Sequence, residues 1–348
     1  MISSSPFLSI IIPVYNLKEF IADCLTSCLN QNIDDYEIIC IDDGSIDDSA
    51  AIIEEIAKKN DRVRLFRKEN GGVSSARNYG IDVSRGEWLW FVDGDDFVVE
   101  NCLKSIKESI RDEHELVFFD SERPFNYIKS ELSESLLAVE LNSENFFDLR
   151  PKKCYGGGAW SYWLKRRVVV NNSLYFDSSM KYSEDVKFLF QYRCSCNRKG
   201  LVLDNTIYFY RNNNSSAMHN VDYTQHFNCM EILFNTYYRE YVSSDPGYFK
   251  NVCLNKVGDA IQAIQFDLLF KLRDYAVAKQ RIGFYKASGV FPVKRVLTEF
   301  QKKERKEKNI KQRIRDFLVK ILFNRASLYL FACKLMSRRK TNENFVDS

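Results

Sequence analysis

The sequence predicts an α/β protein whose first half is built on a parallel sheet. Three observations carry this. Short runs dense in β-branched residues alternate with segments of helical periodicity over residues 8–92. Those runs are apolar throughout, as strands covered on both faces are. Three of them end in a polar or acidic cluster, and in open α/β sheets ligands bind at the carboxyl ends of the strands.

Leu8-Ser9-Ile10-Ile11-Ile12-Pro13 reads as a buried strand stopped by proline. From Glu19 to Leu29 the apolar positions Phe20, Ile21, Cys24, Leu25, Cys28 and Leu29 recur at helical spacing. Glu37 to Ile41 is a second buried strand, ending in Asp42-Asp43-Gly44-Ser45; Asp47 or Asp48 then caps a helix running to Lys58 or Lys59. Arg62 to Phe66 is a third strand, Ser74 to Val83 a helix, and Glu87 to Val92 a fourth strand. Beyond Asp96 the pattern loosens. Glu115 to Phe119 reads as a strand, residues 121–150 as polar and irregular, and Gly156-Gly157-Gly158 as a hinge or close-approach loop. A mixed stretch runs to about Tyr210, followed by the polar run from Asn212 to Ser216 and a helical remainder. The expected division is a catalytic domain over 1–220 and a mainly helical region over 221–348.

Composition narrows the function classes. With 348 residues, 45% apolar and 14% aromatic, the chain can bury a real core and is neither disordered nor linker-rich. No basic n-region precedes the first apolar run, and no window of 18 apolar residues exists, so neither a signal peptide nor a spanning helix is expected. The ten cysteines lack paired CxxC spacing and several lie in apolar runs, which suits reduced thiols in a cytoplasmic protein. Cys194 and Cys196 have no second pair, and the chain has only three His, which disfavours a zinc site. Residues 301–340 carry 14 Lys/Arg against 3 Asp/Glu, a net of +11; the remainder, 36 against 44, is at −8.

Asp93-Gly94-Asp95-Asp96 directly follows Trp88-Leu89-Trp90-Phe91-Val92 and is the most informative placement in the chain. Three carboxylates within four residues repel one another, and a hard cation such as Mg²⁺ or Mn²⁺ relieves that repulsion. A cation held by one or two carboxylates completes its shell with water and substrate phosphates. The competing reading is an acidic turn, since Gly and Asp are ordinary turn residues.

Pro13-Val14-Tyr15-Asn16, Asp42-Asp43-Gly44-Ser45 and Asp93-Gly94-Asp95-Asp96 follow strands in this order, with Asn70-Gly71-Gly72-Val73-Ser74-Ser75-Ala76-Arg77-Asn78-Tyr79-Gly80 between the second and third. In order and spacing the set resembles the family 2 glycosyltransferases across residues 8–100. The resemblance implies a GT-A fold, a Rossmann-like α/β/α sandwich, here with a helical C-terminal extension. It also implies transfer of a sugar, with inversion, from a nucleotide diphosphate, the expected donor being a UDP-sugar. Carried over, Tyr15 stacks on a base beside Pro13 and Asn16, and Asp43 accepts hydrogen bonds from the uracil edge, with Asp42 serving instead or as well. Asp93 meets the ribose, Asp95 beyond Gly94 meets the Mn²⁺ or Mg²⁺ bridging the phosphates, Gly71 brings backbone close to the ligand, and Arg77 orients the acidic loop or meets phosphate. Further on, Trp160-Ser161-Tyr162-Trp163-Leu164-Lys165-Arg166 leads to Ser183-Glu184-Asp185, similar to the family's acidic pair. This implies Asp185 as general base, with Glu184 the neighbour most easily confused with it. The bland alternative is that the pair only favours a helix start at Val186. Trp160 is assigned to the acceptor side, against core packing for it and Trp163. His219 stands where related enzymes often complete the metal shell, against a purely structural histidine.

Over 310–335 the apolar positions Ile310, Ile314, Phe317, Leu318, Ile321 and Leu322, continued by Leu328, Phe331 and Leu335, recur at helical spacing with basic residues between. A basic amphipathic helix suits an anionic membrane surface, and the resemblance adds a glycan acceptor, lipid-linked in many such enzymes; no nucleic-acid motif is present. The expected location is cytoplasmic, peripheral at the inner face of the cell membrane. Two rivals are weighed. A sugar nucleotidyltransferase wants a Gly-rich basic loop after the first strand, where Pro13-Val14-Tyr15-Asn16 stands. A non-catalytic glycan- or nucleotide-binding protein is disfavoured by intact Asp93, Asp95 and Asp185. A Rossmann dehydrogenase is excluded because no GxGxxG follows the first strand.

Overall fold

Leu8–Val14 forms β1, every residue of which is buried. The computed structural model describes residues 5–122, 136, 138–142, 146–147, 158–211 and 222–266. Gly156, Gly157, the polar run 212–216, His219 and the basic segment 301–340 lie outside the described residues.

The apolar run of β1 follows from its position. It pairs in parallel with β2 (Tyr36–Asp42) on one side and β4 (Trp88–Phe91) on the other, in registers running from Leu8↔Tyr36 to Val14↔Asp42 and from Leu8↔Trp88 to Ile11↔Phe91. β2 pairs in parallel with β3 (Val63–Arg67). Both faces are covered. Ile10, Ile12 and Val14 share a core with Ile21, Cys24, Leu25 and Cys28 of helix α1 (Ile21–Leu29). On the other face helix α3 (Val73–Val83) comes so close that a Cβ on Gly80 would lie 2.3 Å from Cγ2 of Ile11, while Ala76 packs with Ile39 and Ile41. Helix α2 (Ser49–Ala57) begins directly after Asp48 and ends just short of the expected Lys58, and it is the Asp47 carboxylate that accepts from the Ser49 amide.

Pro13 does not stop β1. It pairs opposite Ile41, beyond the point where β4 leaves β1, so its missing N–H faces a ladder with a partner on one side only. The strand order β3-β2-β1-β4 sends the chain outward to β3 and back across β1, a topological switch with the carboxyl ends of β1, β2 and β4 at one edge.

The parallel sheet expected of the first half is present, and beyond β4 the sheet becomes mixed. Past β4 the order continues β8 (Tyr162–Lys165), β6 (Leu116–Glu122), β9 (Gly200–Phe209) and β5 (Phe97–Val98), with β7 (Ala138–Leu141) also on β9. β8 is antiparallel to both β4 and β6, whereas β6 and β9 run parallel. β9 therefore runs in the direction of β4 and ends at the same edge. A parallel neighbour needs a crossover of a dozen residues or more; the short link from β4 to β5 offers none, and β5 pairs antiparallel with β9. β6 extends beyond Phe119 with register shifts around Asp120, inside a stretch expected to be irregular. Helices α4 (Leu103–Ser109), α5 (Arg166–Asn171) and α6 (Glu184–Ser195) complete this unit.

The chain divides into two compact units, Met1–Asn220 and Val221–Ser348. In the second, α7 (Tyr223–Ser243) and α8 (Tyr248–Phe266) bury Cys229, Leu233 and Tyr237 on one helix and Val252, Cys253 and Ala260 on the other. Among the described residues no helix is long and apolar enough to cross a membrane.

At the amino edge of the sheet Glu37 is buried yet fully satisfied. Its carboxylate accepts from Ser9 Oγ (2.8 Å), the Arg85 amide (2.8 Å), Arg64 (2.7 Å) and the Arg85 guanidinium (2.8 and 3.0 Å). Burial works to raise its pKa, but these donors outweigh burial and hold the carboxyl below its ordinary 4.5. A depressed folded pKa contributes stability that is present above the unfolded value and lost as pH falls through the folded one. Glu37→Gln is expected to cost about 2 kcal/mol at neutral pH, less than a fully buried pair because Arg64 and Arg85 can rehydrate. The urea midpoint should fall with unchanged slope, and the gap from the parent protein should close as pH drops below 4.5. A gap that does not depend on pH would contradict the assignment.

Candidate active site

The loop after β1 and the loop after β2 are tied together by short polar side chains. Asn16 adopts a left-handed conformation (φ 53°), its amide donates to Ser45 Oγ (3.0 Å) and its side chain accepts from the Ile46 amide (2.9 Å). The Leu17 amide donates to Ser49 Oγ (2.7 Å). Tyr15 stands beside them 48% exposed, so its ring is available to a ligand.

Asp42 and Asp43 are buried by the same edge. Asp42 accepts from the Ser45 amide (3.0 Å) and pairs with Arg67 (3.2 Å). Asp43 accepts from the amides of Gly71 (3.0 and 3.2 Å) and Gly72 (2.7 Å) and pairs with Lys68 Nζ (2.5 Å). Three donors therefore share the two oxygens of this carboxylate, the Gly71 N–H reaching both. In the ligand-free chain the Asp43 carboxylate shapes the Gly71–Gly72 loop. Gly72 stands at φ 84°, where a side chain would be strained. Lys68, which completes this arrangement, was not visible in the sequence as a site residue.

Arg77, on α3, is the centre of the edge. It is 4% exposed; one terminal nitrogen donates to Asp93 Oδ1 (2.8 Å), the other to Glu184 Oε1 (3.0 Å), and its guanidinium lies 5.3 Å from the Phe176 ring centroid. Burial opposes its charge, but Asp93, Glu184 and Asp185 outweigh burial and hold it firmly protonated. Arg77 thus joins the acidic cluster after β4 to the acidic pair at the start of α6, 107 residues away from it in sequence.

Glu184 and Asp185 occupy the first turn of α6, after Ser183 at φ 59°. Burial raises the Glu184 carboxyl above its ordinary range, Asp185 adds to this, and Arg77 opposes it. Asp185 is likewise raised by burial against Arg77, and accepts from the Val186 amide (2.7 Å). A raised carboxyl pKa makes the carboxylate a stronger base. Helix initiation and base chemistry are compatible roles for the pair.

In the Asp93–Asp96 loop the four residues divide the work. Asp93 and Asp95 are half-buried, whereas Asp96 is fully buried. Gly94 is tight against the loop after β1: a Cβ there would come within 2.8 Å of Leu17 Cδ1 and 3.3 Å of the Pro13 carbonyl oxygen. Asp96 accepts from Tyr208 Oη (2.5 Å) and the Arg211 amide (2.7 Å). Burial drives its carboxyl well up, with Asp93 and Asp95 adding to the effect. Asp96, Tyr208 and Arg211 were not singled out from sequence; the only sign was an aromatic-basic run, Tyr208-Phe209-Tyr210-Arg211, at a strand end.

For a cation, the described residues contain no group of three or more His, Cys, Asp or Glu able to hold a metal by themselves. The donor set does fit a hard cation that takes its remaining ligands from phosphate and water: Asp95 and Asp93 present carboxylate oxygens at the strand edge, although Asp93 Oδ1 already serves Arg77. Trp163 is fully buried, 5.7 Å from Trp90 between ring centroids, which settles it as core. Trp160 is half-buried, stacked 6.1 Å from Tyr208 and tilted 6.0 Å from Tyr210.

The switch-point edge thus carries an acidic loop after β4 that Arg77 ties to the acidic pair of α6. The profile of glycosyl transferase family 2 matches residues 9–161, the span holding β1 to β4 and the cluster motifs. The chain is 32% identical over 217 residues to the uncharacterized glycosyltransferase EpsJ of Bacillus subtilis, covering 61% of this chain and 62% of EpsJ. To the poly(ribitol-phosphate) beta-glucosyltransferase of Bacillus spizizenii it is 31% identical over 189 residues, 52% of this chain and 28% of that one. The chain therefore spans less than two thirds of either relative. The crystal structure of residues 1–349 of S. aureus TarS in complex with UDP-GlcNAc shares the fold, with a TM-score of 0.60 at 21% identity over 81% of this chain and 79% of that one.

Replacing Arg77 by Met leaves Asp93, Glu184 and Asp185 facing one another without their cation. A loss of about 3 kcal/mol is expected, read as a lower urea midpoint. Lysine at position 77 should recover only part of it, because one ammonium cannot reproduce the two-pronged contact.

Proposed function

We propose that the chain is an inverting, metal-assisted glycosyltransferase moving a sugar from a nucleotide diphosphate, a UDP-sugar by preference, to a hydroxyl of a growing surface glycan. The observation that carries the reading is the Arg77 bridge, which brings the carboxylates after β4 within one guanidinium of the acidic pair of α6. The TarS structure with UDP-GlcNAc and the polymer glucosyltransferase relative support the donor class and the type of acceptor.

In this reading Tyr15 stacks on the base, beside the polar link that Asn16 makes to Ser45, while Asp42 and Asp43 shape the adjoining loop. Asp93 serves the ribose, and Asp95, with Asp93, would hold Mn²⁺ or Mg²⁺. Such a cation supplies Lewis-acid stabilisation of the departing diphosphate. His219 is a further candidate ligand. The acceptor sugar rests against Trp160, and Asp185 takes the proton from its hydroxyl. The hydroxyl oxygen forms its bond to the anomeric carbon on the face opposite the diphosphate, and the electron pair of the breaking C–O bond leaves with the diphosphate. Glu184, engaged by Arg77, positions this machinery and does not accept the proton.

Asp185→Asn should lower turnover by about 10²-fold or more, with donor binding little changed. Greater damage from Glu184→Gln would transfer the base assignment to Glu184. A panel of UDP-sugars assayed for UDP release should identify a donor whose turnover needs Mn²⁺ or Mg²⁺, is abolished reversibly by EDTA and is nearly lost in Asp95→Ala; full activity in EDTA would remove the metal from the reaction.

The net +11 of residues 301–340 supports an anionic membrane surface as a further partner, at roughly 1 kcal/mol per basic side chain near the headgroups. The full chain should sediment with anionic but not neutral vesicles and be released by salt, and truncation after Thr298 should abolish binding. Binding indifferent to lipid charge would refute this.

A further inference from the structure

The first unit contains a second set of polar side chains on the acidic loop, and it comes from the far end of the sheet. Tyr208, near the end of β9, uses one hydroxyl twice: it donates to Asp96 Oδ2 (2.5 Å) and accepts from the Asp93 amide (3.2 Å). Two residues past β9, Arg211 donates through its amide to Asp96 Oδ1 (2.7 Å) and through Nε to the Asp95 carbonyl (2.8 Å). The remainder of that guanidinium is fixed as well. It pairs with Asp23 of α1 (3.1 Å) and lies between the rings of Phe20 and Phe97, 4.9 and 4.1 Å from their centroids. Asp96 is fully buried, and each of its oxygens accepts one of these bonds, so its carboxylate faces the protein rather than a ligand. The bonds reach the backbone of Asp93 and Asp95, which sets where those two carboxylates point, while their side chains stay half-exposed.

We propose that Asp96, Tyr208 and Arg211 are positioning residues that latch the Asp93–Asp95 backbone to the end of β9 and so preset the two carboxylates for a nucleotide diphosphate and its divalent cation. The inference rests on the glycosyltransferase reading for its ligand. It does not rest on that reading for the latch, which is a property of the ligand-free chain. Partners of this kind, once removed from behind a metal-binding group, typically lower metal affinity 10–100-fold. Arg211 acts through a planar fork and aromatic contacts that lysine does not reproduce.

The test uses the full chain and two variants, Tyr208→Phe and Arg211→Gln, with two measurements. Hydrogen exchange of the segment 92–98 in the ligand-free protein should be at least about 10-fold faster in either variant, with the β1 segment 8–14 unchanged. Calorimetric titration with UDP and Mn²⁺ should show affinity lowered about 10-fold or more, and Arg211→Lys should recover little of it. If Tyr208→Phe does not fold, Arg211→Gln carries the test, since Arg211 is partly exposed and outside the core. Unchanged exchange of 92–98 in a folded variant would overturn the latch, as would a loosened loop that binds UDP and Mn²⁺ as tightly as the parent. If the parent chain binds neither UDP nor Mn²⁺, the glycosyltransferase reading falls and the latch loses its purpose with it. Binding by the parent with unmoved variants would overturn the latch alone.

Discussion

The buried guanidinium of Arg77 is the interaction on which the rest of this site depends. Taking a cation out of water costs several kcal/mol, and the cost is offset only where anions and hydrogen-bond acceptors surround the charge closely. Here the acceptors come from Asp93 after β4 and Glu184 at the start of α6. α3 can place Arg77 there because Gly80 lets the helix approach β1 to a distance no side chain would allow. The parallel half of the sheet brings β4 alongside β1, and the second half delivers α6. A shift in any of these elements would leave a buried charge uncompensated, so the ion triad makes the site and the fold mutually dependent.

The two edges of the sheet use similar groups for different ends, and the pKa directions tell them apart. At the amino edge one carboxylate, Glu37, is supplied by two arginines, a serine and an amide, and its acidity is strengthened despite burial. At the carboxyl edge one arginine is shared among several carboxylates, and Glu184 and Asp185 are left less acidic than usual. An excess of donors produces a rigid structural clamp. At the carboxyl edge burial is what raises the Glu184 and Asp185 carboxyls, and the shared arginine opposes it only in part.

Carboxylates at this edge also build the loops. Asp43 uses its oxygens to gather the Gly71 and Gly72 amides and Lys68, and Asp96 uses its own to hold the end of β9. The chemical groups nearest a ligand are thereby positioned by other acidic residues of the same clusters.

Much of this was legible in the chain. The runs LSIII, EIICI and WLWFV are apolar because strands inside a doubly covered sheet have no polar face, and polar clusters after them mark the edge where ligands bind. The clusters themselves, with the resemblance they carry, point to Asp93, Asp95, Arg77 and Asp185 as candidates. Local pattern could not reveal that the sheet becomes mixed after β4, because β8 and β9 find their partners through contacts far apart in sequence. Nor could it tell Asp43 from Asp95: both are acidic residues after strands, and only the fold shows Asp43 buried against Gly71, Gly72 and Lys68 and Asp95 half-buried. Packing places Trp163 fully in the core and Trp160 half-buried against it beside Tyr208 and Tyr210. What the sequence by itself determined is the first four strands, with part of β6, and the residue types at their ends, since these depend on composition and period. What only the tertiary structure decided is which carboxylate each cation meets, because Arg77, Tyr208 and Arg211 act across separations that no local pattern encodes.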